Sequence, residues 1–481
     1  MSKIWSAQVA TEEEISFFMD RVEALLENKG FKVDHPEFCE KLIKAGAKLG
    51  ADGYVKFPRE LQRESLALAP RSFLLAGIEP EYDVPIPHPK GSFYARGPIG
   101  QTDYLDPITG DLRKNTMADQ LDYVMVQQEL EHISMWGNFS VVSDDFPEVA
   151  ADVHTAALCM QHCKKPAYWM PYSAKSVPYV TEMAMAIAGG SEALKKRPFL
   201  SLMSCSIQPL GIKHMDVEQI LWAAKLGLPL HCTALPVAGA NAPVTPQGIA
   251  LLSTAEVIGQ AIMAQIAGPG TPVMLSAFTY ACDMRTMQTL IAPIEMAKAR
   301  LLAAAVINRG YQLPCHAFCG GTDSHLLDHQ AVAEEAYMTH LMALSDAVMI
   351  GDLGALETCM IASPLQMIIA NDLVAMAKKV KEGLEITDDT LGFQDLMEAK
   401  ADGTFLATEH TFKNFKNTCI PKTFTRAPRE RWKKEGAKDL VEKARDEYRV
   451  LKERHQPVNH PEDVLKEIKS IADRASKEMI A

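Results

Sequence analysis

From about residue 136 onward the chain alternates short apolar runs with amphipathic stretches, and this rhythm constrains its fold more than any other feature. The runs Phe139 to Ser143, Ala167 to Tyr172, Phe199 to Ile207, Leu230 to Leu235, Val273 to Tyr280, Cys315 to Phe318 and Ala347 to Ile350 have strand length. Val177 to Ala188, Val217 to Leu226, Thr245 to Ala267 and Thr286 to Asn308 lie between them and are long enough for helices. Strand followed by helix, repeated about seven times, predicts an α/β fold with a parallel sheet and crossover helices. A (β/α)8 TIM barrel is the simplest closure. The eighth strand is the weak position, since residues 356 to 400 read as helical and the next strand-like piece is Thr404 to Ala407. A doubly wound open sheet competes, but no Gly-x-Gly-x-x-Gly follows an early strand, so the fingerprint of that fold is missing.

The flanks differ from this body. Thr11 and the acidic run Glu12 to Glu14 start a helical region that extends to about residue 80, and a Pro- and Gly-rich stretch over 81–115 carries a hairpin turn at Asp106 to Gly110. This divides the chain into an N-terminal helical and hairpin cap (1–115), a catalytic barrel (116–420) and a charged helical C-terminal extension (421–481). The extension holds 16 Lys and Arg against 12 Asp and Glu, and reads as solvated helices on an acidic body. The formal charge of −12 argues against a phosphate-binding footprint, so no nucleic-acid partner is expected. Ten dilute cysteines and an N-terminus, Met1 to Ala10, without a signal-peptide core point to a reducing cytoplasm. Between Lys225 and Asp283 the only formal charge is Glu256, yet prolines and glycines cut the stretch into pieces. Buried strands and their loops are expected there, and no membrane span.

Barrel enzymes place functional groups at the C-terminal ends of strands and in the loops after them. Strand parity puts Met274, Ser276, Phe278 and Tyr280 on one face, with Phe278 and Tyr280 at the mouth, and puts Tyr172 at the end of another strand. Aromatic rings beside a nearly charge-free region suit a quaternary ammonium held by cation–π contact. Gln208, the run Gly320 to His325 and Asp352 follow three further strands. Two Cys/His sets, one at His154, Cys159, His162 and Cys163 and the other at Cys315, His316, Cys319 and His325, lack paired zinc-ligand spacing, so no metal site is expected.

The stretch Val237 to Gly259 resembles the central signature of the trimethylamine methyltransferase superfamily, and the likeness continues through Gly268 to Val273. Asp106 to Arg113, Gly320 to Ser324 with Asp328 and Gln330, and Gly403 to Thr411 are similar to further pieces of that family. The resemblance covers most of residues 90–420. It implies a (β/α)8 barrel that moves a methyl group from a methylamine to the cobalt of a separate corrinoid protein. Founding members carry pyrrolysine on a barrel loop, whereas Ala299 to Met376 holds neither an unassigned residue nor a Lys. The resemblance therefore implies a non-pyrrolysine member acting on a quaternary amine such as glycine betaine, proline betaine, carnitine or γ-butyrobetaine. Cobalt(I) is then the nucleophile, and no catalytic protein residue and no tightly bound cofactor are expected. Tyr172, Phe278 and Tyr280 are the expected cage. Gln208, Thr322, Ser324 and His325 are expected donors to the substrate carboxylate, with Asp106 ordering a loop over the mouth and Asp323 orienting His325. The expected partners are a cognate corrinoid protein, the small amine and further copies of the chain in a homo-oligomer. The competing readings are a zinc-dependent corrinoid methyltransferase and a non-catalytic betaine-binding protein.

Overall fold

Eight parallel strands close on themselves in the computed structural model, which describes residues 4–401 and 403–480. Met1 to Lys3, part of the N-terminus read above for a signal peptide, lie outside the described residues. In chain order the strands are β1 (Tyr94–Ala95), β2 (Trp136–Gly137), β3 (Ala167–Tyr168), β4 (Leu200–Ile207), β5 (Leu230–Ala234), β6 (Val273–Ala277), β7 (His316–Phe318) and β8 (Met349–Gly351). Parallel ladders join β2 through β6 in sequence, β7 to β8, and β8 to β1. The seams β6–β7 and β1–β2 are single parallel bridges, Leu275 to Cys315 and Arg96 to Met135. After each strand comes a helix: α2 (Met117–Glu129), α3 (Ala151–His162), α4 (Val177–Ala188), α5 (His214–Leu226), α6 (Pro246–Ala267), α7 (Ile294–Ala305), α8 (His329–Ala343) and α9 (Pro364–Lys381), with α1 (Glu12–Asn28) ahead of them. The chain is a TIM barrel.

The missing strand lies at the other end of the chain from where the sequence rhythm places it. Thr404 to Ala407 is bend and turn, and the barrel closes through Tyr94–Ala95, inside the stretch 1–115 read as the cap. Phe139 to Ser143 is loop as well, the strand being Trp136–Gly137 just before it. A two-residue strand cannot display the alternation by which strands are recognised, and prolines and glycines around β1 mask it further. Helix starts were legible: Thr11 and Glu14 form a reciprocal capping box at the head of α1.

The charge-poor stretch contains the longest helix, α6, with 22 residues. By length and hydropathy it could cross a membrane, but 89% of its most apolar window is buried inside the protein. Its neighbours are α1, α5, α7, β5 and β6, so it is the central helix of the barrel wall, and the reading of Thr245 to Ala267 as a helix holds.

The C-terminal extension is docked on the barrel. Helix α10 (Leu440–Arg454) packs on α9 and α2, and α11 (Glu462–Glu478) on α4 and α3. Each buries one stripe, Ala444, Tyr448 and Leu451 in α10 and Ile468, Ile471, Ala472 and Ala475 in α11. Its cations meet acids of the barrel: Lys452 pairs with Asp122, Arg454 with Glu129 and Arg474 with Glu182. The excess of basic residues is a docking complement, and a charge count alone could not separate this from solvation. The Tyr448 hydroxyl donates to Asp122, which also accepts from Tyr104. We predict that Tyr448→Phe lowers the unfolding free energy by about 1 kcal/mol and Tyr448→Ala by about 3–5 kcal/mol, read from urea midpoints. An unchanged midpoint in Tyr448→Ala contradicts docking of the extension.

Candidate active site

The barrel interior is polar where a core is ordinarily apolar. Arg96, at the C-terminal end of β1, is buried and forms an ion pair with buried Asp352, just beyond β8. Its Nε donates to His316 Nε2 at 3.2 Å, and its guanidinium lies 4.1 Å from the Tyr168 ring centroid. Since His316 Nε2 accepts, Nδ1 carries the ring proton and donates to Ser276 Oγ at 3.1 Å. His231 stands edge-on to Tyr168 at 4.3 Å with both ring nitrogens buried and unpartnered among the described residues. Burial, and then the nearby Arg96 charge, hold both imidazoles well below the usual histidine range. Burial pushes the Tyr168 hydroxyl up to about 12 and pushes the Asp352 carboxyl up against the pull of Arg96. The interior thus holds one ion pair and two neutral rings. Gly351 makes room for it, because a Cβ there would stand 2.3 Å from His316 Nε2 and 2.7 Å from Arg96 Nε.

Above this interior the mouth opens into a cavity of about 340 Å³, lined by Leu235, Val237, Tyr280, Gln288, Thr289, Glu357, Thr358 and Met360. Phe278 and Phe318 form its aromatic base. Their ring centroids are 4.8 Å apart, and Tyr280 is 5.7 Å from Phe318. Glu357 is the only formally charged lining residue. It sits on an unusual turn: Glu357, Thr358 and Cys359 have φ of 48°, 51° and 70°, and Asp352 has 69°. Left-handed backbone costs about 1–2 kcal/mol for each such residue and needs surrounding contacts to hold it. Three hydrogen bonds supply them: Glu357 N donates to Ser324 O, Thr358 N to Thr322 O, and Thr358 Oγ1 to Asp323 Oδ1 at 3.0 Å.

The structure gives the sequence candidates different places. Phe278 and Tyr280 face the interior and mouth as parity predicts, and Ser276 and Met274 follow the same face. Tyr172 lies apart from them, in the main core cluster, with its N–H on Asp152. Gln208 spends its amide on Ser206 and on Glu256, a buried carboxylate whose own protonation is raised by burial. The expected carboxylate donors do not have free protons: Thr322 donates its hydroxyl to Glu334, and Ser324 donates to Asp328. Asp323 does not orient His325. It accepts from Ile291 N and Ala292 N and so clamps that loop to the strained turn. His325 is exposed, 3.4 Å from Glu357. Asp106 caps its own turn through Ile108 N and Thr109 N and pairs with Arg113. Sequence reasoning missed Arg96, His231 and Glu357 and dismissed His316 with a scattered Cys/His set. Glu357 lies in a loop after a recognised strand, so the mouth rule could have found it.

Neither Cys/His set converges on a metal geometry among the described residues. The one group that does converge is His35, His214 and Glu218, away from the mouth cavity. There His35 Nδ1 accepts from Phe38 N, so the neutral ring directs its Nε2 proton at Glu218, 3.1 Å away. That ring caps a helix and offers no lone pair toward the carboxylate.

Comparison with known proteins agrees with this architecture. The sequence profile of the family described as "Trimethylamine methyltransferase (MTTB)" matches residues 1–480. Trimethylamine methyltransferase MttB of Desulfitobacterium hafniense (strain DSM 10664 / DCB-2) is 27% identical over 471 residues, covering 97% of this chain and 94% of its own. The glycine betaine methyltransferase of D. hafniense (strain Y51) is 24% identical over 430 residues, covering 89% and 88%. The solved structure of the hydroxylamine complex of MtmB superposes with a TM-score of 0.51 at 13% identity, covering 91% and 92%, and supports the fold.

The two neutral imidazoles have a measurable consequence. In the unfolded chain a histidine titrates near 6.5, so as pH falls the unfolded state takes up protons that His316 refuses. The stability from this difference is present above pH 6.5 and is lost toward pH 5. In His316→Gln, which can still accept from Arg96, that loss is absent. The stability of wild type minus that of His316→Gln is expected to fall by about 1 kcal/mol per pH unit between pH 6.5 and 5, steepening toward about 1.4 at the lower end. A difference that stays constant in urea titrations contradicts a neutral His316.

Proposed function

The chain belongs to the trimethylamine methyltransferase family and is a methyltransferase, and from that premise we propose that it demethylates a quaternary amine and passes the methyl to cobalt(I) of a cognate corrinoid protein. The observation that carries this reading is the mouth cavity itself: a wall of Tyr280, Leu235, Val237 and Met360 with Glu357 as its only formal charge. Such a lining attracts a cation with methyl groups and offers no lysine or arginine to repel it. The resemblance to a glycine betaine methyltransferase supports a substrate of the betaine type, including glycine betaine, proline betaine, carnitine and γ-butyrobetaine. Gln288, at the rim, is the amide donor suited to its carboxylate.

In the proposed reaction the cobalt(I) electron pair forms a bond to an N-methyl carbon while the C–N bond breaks and its pair stays on nitrogen. A neutral tertiary amine leaves, and no proton moves. A neutral tertiary amine offered as substrate would first need activation, and Ala299 to Met376 holds neither an unassigned residue nor a Lys written in place of the pyrrolysine to which the founding members of the family owe it. The protein's work is to strip water from the ammonium head and aim one methyl outward. Tyr280 does this by cation–π contact, which does not bind the ground state as tightly as a buried carboxylate would. Glu357 has a side chain 36% exposed, so water screens it and it draws the cation in without trapping it.

The partner needs a surface, and one surrounds the mouth. Ile207, Val244, Met284, Met287, Leu326 and Met360 are exposed; Ile207 ends β4, and the others lie on the segments that follow β5 to β8. A ring of apolar side chains around a cavity is the mark of a protein docking site. Methyl transfer to free cob(I)alamin, followed by absorbance with a panel of betaines and trimethylamine, tests the reading. Turnover is expected with a quaternary amine, and Tyr280→Leu is expected to lower kcat/KM about tenfold, the worth of one ring at about 1–2 kcal/mol. Turnover with trimethylamine alone overturns the substrate class.

A further inference from the structure

Residues 384–420 are the least supported part of the molecule and the most apolar part of its surface. Eleven large apolar side chains between Leu384 and Ile420 are exposed, Leu406 at 85% and Phe412 at 79%. The segment forms only short helices, Asp388–Leu391, Phe393–Glu398 and Glu409–Asn414. Among the described residues its hydrogen bonds stay within it, as in Lys413 to Asp389 at 2.9 Å. It leaves the barrel at Lys381, the end of α9, whose ammonium donates to Ser345 O just ahead of β8. That is the N-terminal end of the strands, opposite the mouth, and the chain is recaptured at Thr423, which donates to Asp372.

We propose that this arm is the interface between two copies of the chain. Its area argues for a permanent partner. At roughly 100 Å² for each exposed side chain, two arms bring about 2,000 Å² of apolar surface, the lower bound of obligate homodimers and well above transient contacts. Its position argues against the methyl-accepting partner, which has to reach the mouth. The seat is an apolar groove of about 550 Å³ between the barrel and the C-terminal extension, walled by Leu327, Val332, Ala336, Leu373, Phe424 and Leu440, with Asp328, His329 and Asp439 as its polar lining. The arm of each copy seats Leu406 and Phe412 in the groove of the other, a two-fold exchange that closes on itself.

Sedimentation equilibrium of the full chain, across about 1–50 µM, tests this. A mass near twice 53.0 kDa is expected. The double variant Leu406→Asp, Phe412→Asp is expected to sediment at the single-chain mass, its dissociation constant raised more than 100-fold, with far-UV circular dichroism and the methyl-transfer rate unchanged. A wild-type chain that stays monomeric overturns the proposal, and so does a double variant that remains dimeric. A monomer that binds its corrinoid partner through Leu406 and Phe412 also overturns it. The sedimentation readouts do not depend on which amine is the substrate, so they stand apart from the reading of the reaction.

Discussion

The ion pair of Arg96 and Asp352 is the constraint on which the site depends. It joins the first strand of the barrel to the eighth, across the seam where the chain must find itself again. Backbone bonds support it, Arg96 N to Ile350 O and Leu353 N to Arg96 O. Burying two charges is expensive, and attraction offsets the expense only when further hydrogen bonds satisfy the remaining atoms. Gly97 O and His316 do so here, at 2.8 and 3.2 Å. The same arrangement sets the His316 tautomer, and through it the Ser276 contact, so one charge organises the floor beneath the mouth cavity.

Above that floor the residues divide into those that face the cavity and those that hold the facing residues still. Thr322, Asp323 and Ser324 belong to the second group. They consume their polar atoms on Glu334, Asp328, Ile291, Ala292 and Thr358. A turn of three consecutive left-handed residues would relax without them, and Glu357 would swing away from Tyr280. The strain stored there is the sign that the position of Glu357 is maintained against local preference.

How much of this could be read from the sequence follows from what periodicity reports. Alternation along β6 correctly placed Phe278 inward because a strand of five residues, Val273–Ala277, is long enough to show two faces. Tyr94–Ala95 is too short to show any, so the barrel's closing strand was sought among residues 404–407 instead. Arg96 was invisible for a different reason, since arginine is expected at surfaces and its buried partner lies 256 residues away. The run Gly320 to Ser324 was recognised as important, but sequence shows which residues matter and not whether their hydrogens point to a substrate or to a neighbour. The basic extension was misread because charge composition ignores the apolar stripe that α10 and α11 each bury.

The barrel's seam also has a bearing on how the protein is made. The strand that closes the ring leaves the ribosome roughly 250 residues before the strand it pairs with, which at about 5–20 residues per second is a wait of some tens of seconds. During that interval the nascent chain must keep a half-built sheet open at both edges. A first strand of only two residues suits this interval: it is too brief to template a wrong pairing. Closure needs Met349 to Asp352, so it is a late event of biosynthesis, and the site at the barrel mouth can exist only once those residues are available.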